Sequence, residues 1–333
     1  MPTRRQTISL AGALASTSGA AGLAPLAALA QAEPAWRPTR PIRLVVPFAP
    51  GGSNDIVGRI IAETAGQAFG QPVVIENRAG AGGVIGAEAV ARAAPDGYTL
   101  LINSSHQTAP AIVARVPYDT VGDFAGVAVA GFSPYVLVVG PRVQARTAQE
   151  LLALLRTTPE RYNLATAGIG SGVHVAAELF RSATGVRPEL VHYRGGGPSV
   201  AALLGGEAQL GTPTMASSIA QVRGGALRPL AVLAERRDPA LPDVPSAPEA
   251  GLPGVVFEEY FPILAPAATP ASVVAALGAV FQAAIQANAA RLNEMAGVSP
   301  RPGFETSAQV MNLVRDSVER TTAILRAAGI RPE

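Results

Sequence analysis

Several residue types that support common catalytic and redox chemistry are missing from this chain of 333 residues. It has no cysteine, which excludes disulfides, thiolate catalysis and cysteine-ligated zinc. Its three histidines, His106, His174 and His192, lie far apart in the sequence, and no H-x-x-x-H or H-E-x-x-H spacing occurs. The sequence therefore predicts no transition-metal site built from protein side chains.

Lysine is absent as well, so all 26 basic residues are arginines. The formal net charge is +2, and two of the basic residues, Arg4 and Arg5, lie in a segment that we expect to be removed. Without these two, 24 basic residues face 24 acidic ones. A chain without a basic excess lacks the electrostatic footprint of a nucleic-acid-binding protein, so we expect no nucleic-acid partner.

Residues 1–32 have the pattern of an export signal. A short basic start with Arg4 and Arg5 precedes a weakly apolar stretch, and Ala30-Gln31-Ala32 is an A-x-A cleavage site. Paired arginines are typical of twin-arginine signals, but Thr7 stands where that pattern prefers a bulky apolar residue, so general secretion stays open. Glycines and serines interrupt the apolar stretch, which argues against stable membrane insertion. We expect cleavage near Ala32 and a mature protein in the periplasm.

The first part of the mature chain alternates between strand and helix patterns. The runs 42–48, 73–76 and 98–103 are rich in Val, Ile and Leu with little alternation, as buried parallel strands are. The helical patterns 56–69 and 84–94 lie between them. This order predicts a parallel βαβαβ sheet with right-handed crossovers.

A second series of strands and helices begins near Phe132 and ends in the proline-rich segment 239–253. Beyond it lie the apolar run 255–264 and two long helical patterns, 270–289 and 306–328. These last helices have no strands of their own and must pack on an existing sheet.

The sequence thus predicts an α/β fold with two Rossmann-like domains, the first of them discontinuous. Domain 1 takes residues 33–131 and 256–333, and domain 2 takes residues 132–255. The chain would cross between them near 129–133 and near 257–262. Two crossings form a hinge, and ligands prefer the cleft that such domains enclose.

Two glycine-rich turns lead from a predicted strand into a predicted helix. The first is Phe48-Ala49-Pro50-Gly51-Gly52-Ser53-Asn54-Asp55, and the second is Ala167-Gly168-Ile169-Gly170-Ser171-Gly172. A helix start reached through glycines exposes unpaired backbone N–H groups and the positive end of the helix dipole, which together attract anions. Two such turns on separate domains indicate that one small anion is held from opposite sides.

Two side chains near these turns have two interpretations each. Asp55 either belongs to the site or caps its helix, and His174 either donates to a ligand carboxylate or stabilises its own loop. His106, at the end of a predicted strand, is a further candidate. The predicted ligand-binding residues are Phe48, Gly51, Gly52, Ser53, Asn54, Asp55, Ser104, Ala167, Gly168, Gly170, Ser171, Gly172, His174, Thr212 and Tyr260.

The sequence gives little support for a nucleotide ligand or for catalysis. A P-loop requires a lysine, which this chain lacks. The turn 77–86 comes near the dinucleotide fingerprint, but the next strand ends in Asn103-Ser104-Ser105-His106 and offers no acid to a ribose hydroxyl. Helix–sheet packing explains its glycines, and a nicotinamide-dependent enzyme is the less favoured alternative.

The turn 194–199 either adds N–H donors to the cleft or only reverses the chain. No G-x-S-x-G motif is present and no Ser–His–Asp set can be placed from spacing, so catalysis has no positive support. We predict no enzyme and no cofactor.

The motifs taken together resemble the Bug family, the extracytoplasmic solute-binding proteins of tripartite tricarboxylate transporters. The segment Val46-Pro47-Phe48-Ala49-Pro50-Gly51-Gly52-Ser53-Asn54-Asp55-Ile56-Val57-Gly58-Arg59 resembles the first motif of that family. The segments 76–83, 94–101, 193–196, 204–206 and 251–254 also fit, in order and without large gaps.

This resemblance implies a type II periplasmic-binding-protein fold whose domains close over a small carboxylate. The ligand would be an organic acid or an acidic amino acid, held by residues 51–55 and 167–174 and commonly bridged by water. The implied partners are the membrane permease subunits of the transporter, and we expect a monomer. A receptor that senses its ligand and docks on a membrane sensor kinase is the alternative. Gln209 and residues 212–214 depart from the family pattern, where relatives often have aspartate, which leaves the particular ligand open.

Overall fold

The structure is a computed structural model that describes residues 36–104, 116–327 and 329. The predicted export signal and His106 lie outside these residues. The described strands are β1 (Ile42–Val46), β2 (Val73–Asn77), β3 (Thr99–Ile102), β4 (Phe124–Pro134), β5 (Val136–Val139), β6 (Asn163–Thr166), β7 (Glu189–His192), β8 (Leu210–Gly211), β9 (Arg228–Val232) and β10 (Glu258–Pro266).

The α-helices begin, in most cases, directly after a strand and a short turn. They are α1 (Ser53–Phe69), α2 (Val84–Ala91), α3 (Ala148–Thr157), α4 (Gly172–Thr184), α5 (Gly196–Gly205), α6 (Met215–Arg223), α7 (Ala271–Ala287), α8 (Ala289–Ala296) and α9 (Ser307–Ala327). Among the described residues, no single helix is long and apolar enough to cross a membrane; α7 and α8 reach that length and composition only together, across a bend of 63°.

Two five-stranded sheets form the framework, in the orders β2-β1-β3-β10-β4 and β7-β6-β8-β5-β9. In the first sheet β1 runs parallel to β2 and β3, whereas β10 is antiparallel to β3 and β4. The second sheet has the same plan, with β6 parallel to β7 and β8 and with β5 antiparallel to β8 and β9. Both sheets are therefore mixed, and the parallel strands that the sequence predicted form only part of each.

The chain passes between the sheets at two neighbouring points. β4 ends at Pro134 and β5 begins at Val136, while Phe257 directly precedes β10. At these points the Tyr135 N–H donates to the Phe257 carbonyl at 3.4 Å, and the two rings lie 5.2 Å apart. The first passage comes later than the predicted 129–133, because residues 124–134 form one long strand. The limits of the two domains stay a prediction.

The C-terminal helices pack on the first sheet, where α7 and α9 both contact β4. α9 also contacts α4, which belongs to the second series of strands and helices. Its residues Val310 and Val314 are buried with Tyr260 in one apolar cluster, and Leu325 is buried in another cluster with Leu137 of the second sheet. This helix therefore bridges the two sheets.

Candidate functional site

A small cavity lies where the N-terminal ends of four helices meet. Its volume is about 20 Å³, roughly the space of one water molecule. α1 contributes Gly52, Ser53 and Asn54, whereas α4, α5 and α6 contribute one residue each at their starts. The lining residues are Phe48, Gly52, Ser53, Asn54, Ala167, Val173, Gly196, Thr214 and Glu259. Helix N-termini carry partial positive charge and unpaired N–H groups, so their convergence favours an anion.

A larger cavity of about 410 Å³ adjoins this one at Phe48 and Ala167, which line both. Its walls come from four glycine-containing turns on the two sides of the cleft. The lining residues are Phe48, Gly80, Ala81, Gly82, Gly83, Ala167, Gly168, Ile169, Tyr193 and Arg194. The turn 77–86, which the sequence assigned to helix–sheet packing, therefore also forms part of the cleft wall.

Asp55 organises the first glycine turn from within. Its buried carboxylate accepts the Gly51 N–H at 3.0 Å, the Arg59 Nε at 3.1 Å and the Asn77 amide at 3.1 Å. Burial by itself would raise the pKa of Asp55, but the hydrogen bonds from Arg59, Gly51 and Asn77 outweigh it and hold that pKa below its ordinary value. Asp55 thus stabilises the turn; it does not cap its helix, because α1 has no side-chain cap, and whether it also contacts a ligand stays a prediction.

Two amides attach the first turn to the sheet. Asn77, at the end of β2, also donates to the Phe48 carbonyl at 3.0 Å. Asn54 donates to the Ile102 carbonyl at the end of β3, at 3.1 Å. Gly51 has φ +79°, a left-handed conformation that favours glycine. The turn is therefore held rigidly at the carboxyl ends of three adjacent strands.

His174 plays the corresponding role in the second turn. Its Nδ1 accepts the Gly170 N–H at 3.2 Å, and its own backbone N–H donates to the Ser171 Oγ, the N-cap of α4, at 3.1 Å. The Ser171 N–H in turn donates to the Gly168 carbonyl at 3.0 Å. Because these groups bond to one another, His174 stabilises its own loop, as the second of its two interpretations held.

A cluster of charged and titratable side chains stands behind this turn. His174 Nε2 lies 3.7 Å from a Glu178 oxygen, and Arg181 donates to Glu178 at 2.8 Å. Burial would raise the pKa of Glu178, but His174 and Arg181 lower it. The His192 ring lies 5.0 Å from that of His174, and burial together with this neighbour lowers the pKa of His192.

The two sides of the cleft are in direct contact. The Ala49 N–H donates to the Arg194 carbonyl at 3.2 Å. Gly82, at φ +61°, lies so close to the Ile169 carbonyl oxygen that any Cβ there would overlap with it. The structure is thus a closed form of the cleft, and glycine is required where the walls touch.

All predicted residues except Tyr260 fall into two groups, those that line a cavity and those that do not. Phe48, Gly52, Ser53, Asn54 and Ala167 line the small cavity, and Gly168 lines the larger one. Others shape the turns or lie behind them: Gly51, Asp55, Gly170, Ser171, Gly172, His174 and Thr212, the last of which donates to the Val173 carbonyl at 3.4 Å. Ser104 is buried two residues beyond the end of β3. Which of them contact a ligand stays a prediction.

Tyr260 is the one predicted residue that lies on the wrong face of its strand. It is buried against Phe132, Val310 and Val314, and burial raises its pKa. Successive side chains of a strand point to opposite faces, so the preceding residue, Glu259, faces the cavity instead. The assignment of Tyr260 to the cleft is corrected to Glu259.

Three more lining residues are absent from the predicted set: Gly196, Thr214 and Val173, although Val173 lies within the range 167–174 that the resemblance implied. Gly196 belongs to the turn 194–199, whose role the sequence left open. Thr214 is the N-cap of α6 and accepts the Ser217 N–H at 3.3 Å. A threonine before a short helical segment was the available signal, but the helix itself was not predicted. Among the described residues, no group of three or more histidine, aspartate or glutamate side chains is placed to hold a metal.

The fold consists of two mixed sheets with flanking helices, joined by two chain passages. The sheets enclose a cleft walled by helix starts, which is the architecture of a solute-binding protein. Residues 57–330 match the family described as tripartite tricarboxylate transporter family receptor, TctC. The chain belongs to this family. The fold class and the resemblance inferred from the sequence are confirmed.

Individual relatives agree with this assignment over nearly the whole chain. Protein BugT of Bordetella pertussis is 36% identical over 299 residues, which are 88% of this chain and 91% of that protein. The structure of the periplasmic binding protein BugD has a TM-score of 0.85 at 29% identity and covers 89% of this chain and 100% of its own. The structure of R. palustris Rpa4515 with adipate has a TM-score of 0.84 at 32% identity, covering 89% and 99% respectively.

Proposed function

We propose that the protein is a periplasmic receptor that captures a small organic carboxylate for a tripartite tricarboxylate-type transporter. The observation that carries this proposal is the convergence of four helix N-termini on one cavity. Among the described residues that line this cavity there is no basic side chain, so backbone N–H groups and helix dipoles would supply the positive potential. Such donors do not titrate, which suits a receptor that binds an anion without reacting with it.

Ligand entry requires the two sides of the cleft to separate, because a cavity of about 20 Å³ is too small for an organic acid. Closure then brings donors from both sheets onto one ligand, so binding favours the closed form. The adjoining 410 Å³ gives room for the rest of the molecule. A structural relative that holds adipate supports a carboxylate ligand. A few charge-assisted hydrogen bonds of about 1.5–3 kcal/mol each, less the cost of association, suit micromolar affinity.

The proposal is tested first on the exported protein as it is isolated. Native mass spectrometry should detect a retained acid, and titration calorimetry with a panel of organic acids should give binding by one or a few of them. If no acid binds while a nicotinamide dinucleotide does, the enzyme alternative replaces the receptor.

A charge placed at the cavity provides the sharper test. Ser53→Asp adds a carboxylate at the first residue of α1, where Ser53 lines the cavity. We expect it to weaken acid binding at least a hundredfold through like-charge repulsion in a partly buried site. Ala271→Asp adds the same group at the exposed first residue of α7, outside the cavity lining, and should leave affinity within twofold. Equal affinities for both variants would place the binding site elsewhere.

We further propose that residues 1–32 are removed on export, that the mature protein is a monomer, and that it delivers its ligand to membrane permease subunits. The family assignment supports the last of these points. N-terminal sequencing of the periplasmic protein and its mass in solution test the first two.

A further inference from the structure

The larger cavity of the cleft has an apolar lining that offers few hydrogen bonds. Its volume of about 410 Å³ lies within the range of small-molecule sites, about 300–1,000 Å³. The lining consists of two aromatic rings, one isoleucine, two alanines, four glycines and Arg194. Among these described residues, only Tyr193 and Arg194 have side chains that form hydrogen bonds, and none is acidic. The cavity therefore suits a hydrocarbon surface better than a strongly hydrated group.

The two aromatic rings of this lining are held in place by packing. The Phe48 ring lies against the start of α2, where a Cβ at Gly83 would come within 2.8 Å of the ring Cζ. Tyr193 packs against an apolar cluster that contains Val200 and Leu203 of α5. Because packing fixes both rings, little free energy is lost in ordering them around a ligand.

Ile169 is a large apolar residue that remains partly in contact with water. It lies on the second glycine turn, lines the larger cavity and is 47% exposed. Its carbonyl oxygen lies against Gly82, so the residue stands where the two sides of the cleft meet. An apolar group in the cavity would remove part of this surface from water, which favours binding.

Arg194 is the one charged residue among the described residues that line the larger cavity, and it is exposed. An ion pair with an exposed arginine contributes little, because water solvates both partners. A second carboxylate of a ligand would lose hydration in the apolar cavity and would meet no other charged partner among the described lining residues. A ligand whose far end is uncharged avoids this loss.

We infer that the ligand is a monocarboxylate with an apolar body, whose carboxylate lies at the helix starts and whose ring or hydrocarbon chain lies against Phe48, Ile169 and Tyr193. Phe48 and Ala167 line both cavities, so one molecule can extend from the helix starts into the larger cavity. This inference rests on the proposed function and narrows its substrate class. It separates this chain from the relative that holds adipate, which is a dicarboxylate.

Matched pairs of acids test the inference on the unaltered protein. Each pair shares a carbon skeleton and differs by a methyl group in place of the second carboxylate: butanoate and succinate, hexanoate and adipate, 4-methylbenzoate and terephthalate. Calorimetry on ligand-stripped protein should show at least a tenfold preference for the monocarboxylate of whichever pair binds. Equal or tighter binding of the dicarboxylate overturns the inference and leaves the proposed function intact, whereas binding of no acid at all counts against both.

Ile169→Thr then tests where the apolar body lies. Threonine keeps the branch at Cβ but replaces the ethyl group of isoleucine with a hydroxyl. We expect the monocarboxylate that binds the unaltered protein to bind about fivefold more weakly, because apolar contact is lost and a hydroxyl is desolvated. Val74→Thr makes the matching change at an equally exposed residue of β2, outside both cavities, and should leave affinity within twofold. An unchanged affinity in Ile169→Thr overturns this placement of the apolar body, and if that variant does not fold, the wild-type pairs decide alone.

Discussion

The two glycine turns of the cleft are held by the same kind of hydrogen bond, but the accepting side chains differ. In each, the side chain four residues beyond a glycine accepts that glycine's N–H: Asp55 for Gly51, and His174 for Gly170. Asp55 also binds Arg59 and Asn77, so the first turn belongs to a network of charged and amide groups. His174 offers one nitrogen, which accepts only while it carries no proton.

The helices that follow the two turns also differ in how their N-termini are capped. α4 has a side-chain cap from Ser171, whereas the N-cap of α1 is Gly52, which has no side chain to cap the helix. Gly52 lines the small cavity, and a Cβ there would approach the backbone of Gly196 to 3.4 Å. The first turn thus keeps its helix start open to the cavity and obtains its rigidity from Asp55 behind it. The second turn obtains rigidity from groups within the loop itself.

Replacing Asp55 should have the largest effect on stability. Asp55→Ala removes the acceptor of three donors, one of them a backbone N–H in the turn. We expect the free energy of unfolding to fall by about 3 kcal/mol, because buried donors lose their partner. Urea unfolding measures this loss. Glu63→Ala breaks an exposed ion pair with Arg291 and should cost less than about 1 kcal/mol. Similar losses in the two variants would show that the Asp55 network contributes little.

His174 should matter less for stability, because it accepts one N–H from the turn. His174→Ala leaves the Gly170 N–H without that acceptor and should cost about 1–2 kcal/mol. In His174→Asn, the amide oxygen can take the place of Nδ1, so this variant should recover part of the loss. The comparison is made by urea unfolding of both variants at pH 7.5. If asparagine is no better than alanine, the hydrogen bond is not what holds the second turn.

Acidification should produce the smallest effect and should act on the histidine cluster behind the second turn, not on the first turn. The pKa of His192 lies below its ordinary value of about 6.5 because of burial and the neighbouring His174. The unfolded chain then takes up a proton at a higher pH than the folded chain, so stability falls as pH decreases through 6.5. The lowered pKa of Asp55 has its effect only below about pH 4, where its contribution to stability is lost.

We therefore expect the melting temperature to drop between pH 7.5 and pH 5.5, and to drop less in His192→Gln. Asp55→Ala should melt lower throughout but keep the wild-type slope over this interval. Scanning fluorimetry at three pH values separates the histidine cluster from the Asp55 network, and a changed slope in Asp55→Ala would contradict the assignment.

The sequence predicted the parts of the molecule that local patterns encode. Strand β1, its turn and α1 follow from an apolar run, glycines and helical periodicity, and the motif order identified the family. It did not reveal that 124–134 is one strand, because Gly126 and Gly131 interrupt the pattern and weaken a strand signal. α6 was missed because it is short and contains two serines.

The face that a side chain occupies was harder to predict than the element that carries it. Glu259 and Tyr260 exchange roles if the register of β10 shifts by one residue, and that register depends on its pairing with β4, distant in sequence. Asp55 and His174 carried two interpretations each for a similar reason. Whether such a side chain faces a ligand or its own backbone depends on rotamers that sequence patterns do not encode.

α9 gives the protein a mechanical limit. Val310 and Val314 are anchored near β4, and Leu325 is anchored in the core of the second sheet, so the helix behaves as a stiff rod fixed at both ends. The helix α9 cannot lengthen when the two sheets move apart. Wide opening must therefore pull one anchor out, and exposing a buried leucine costs about 1.5–3 kcal/mol. The length of one helix thus sets how far the cleft opens before it meets resistance.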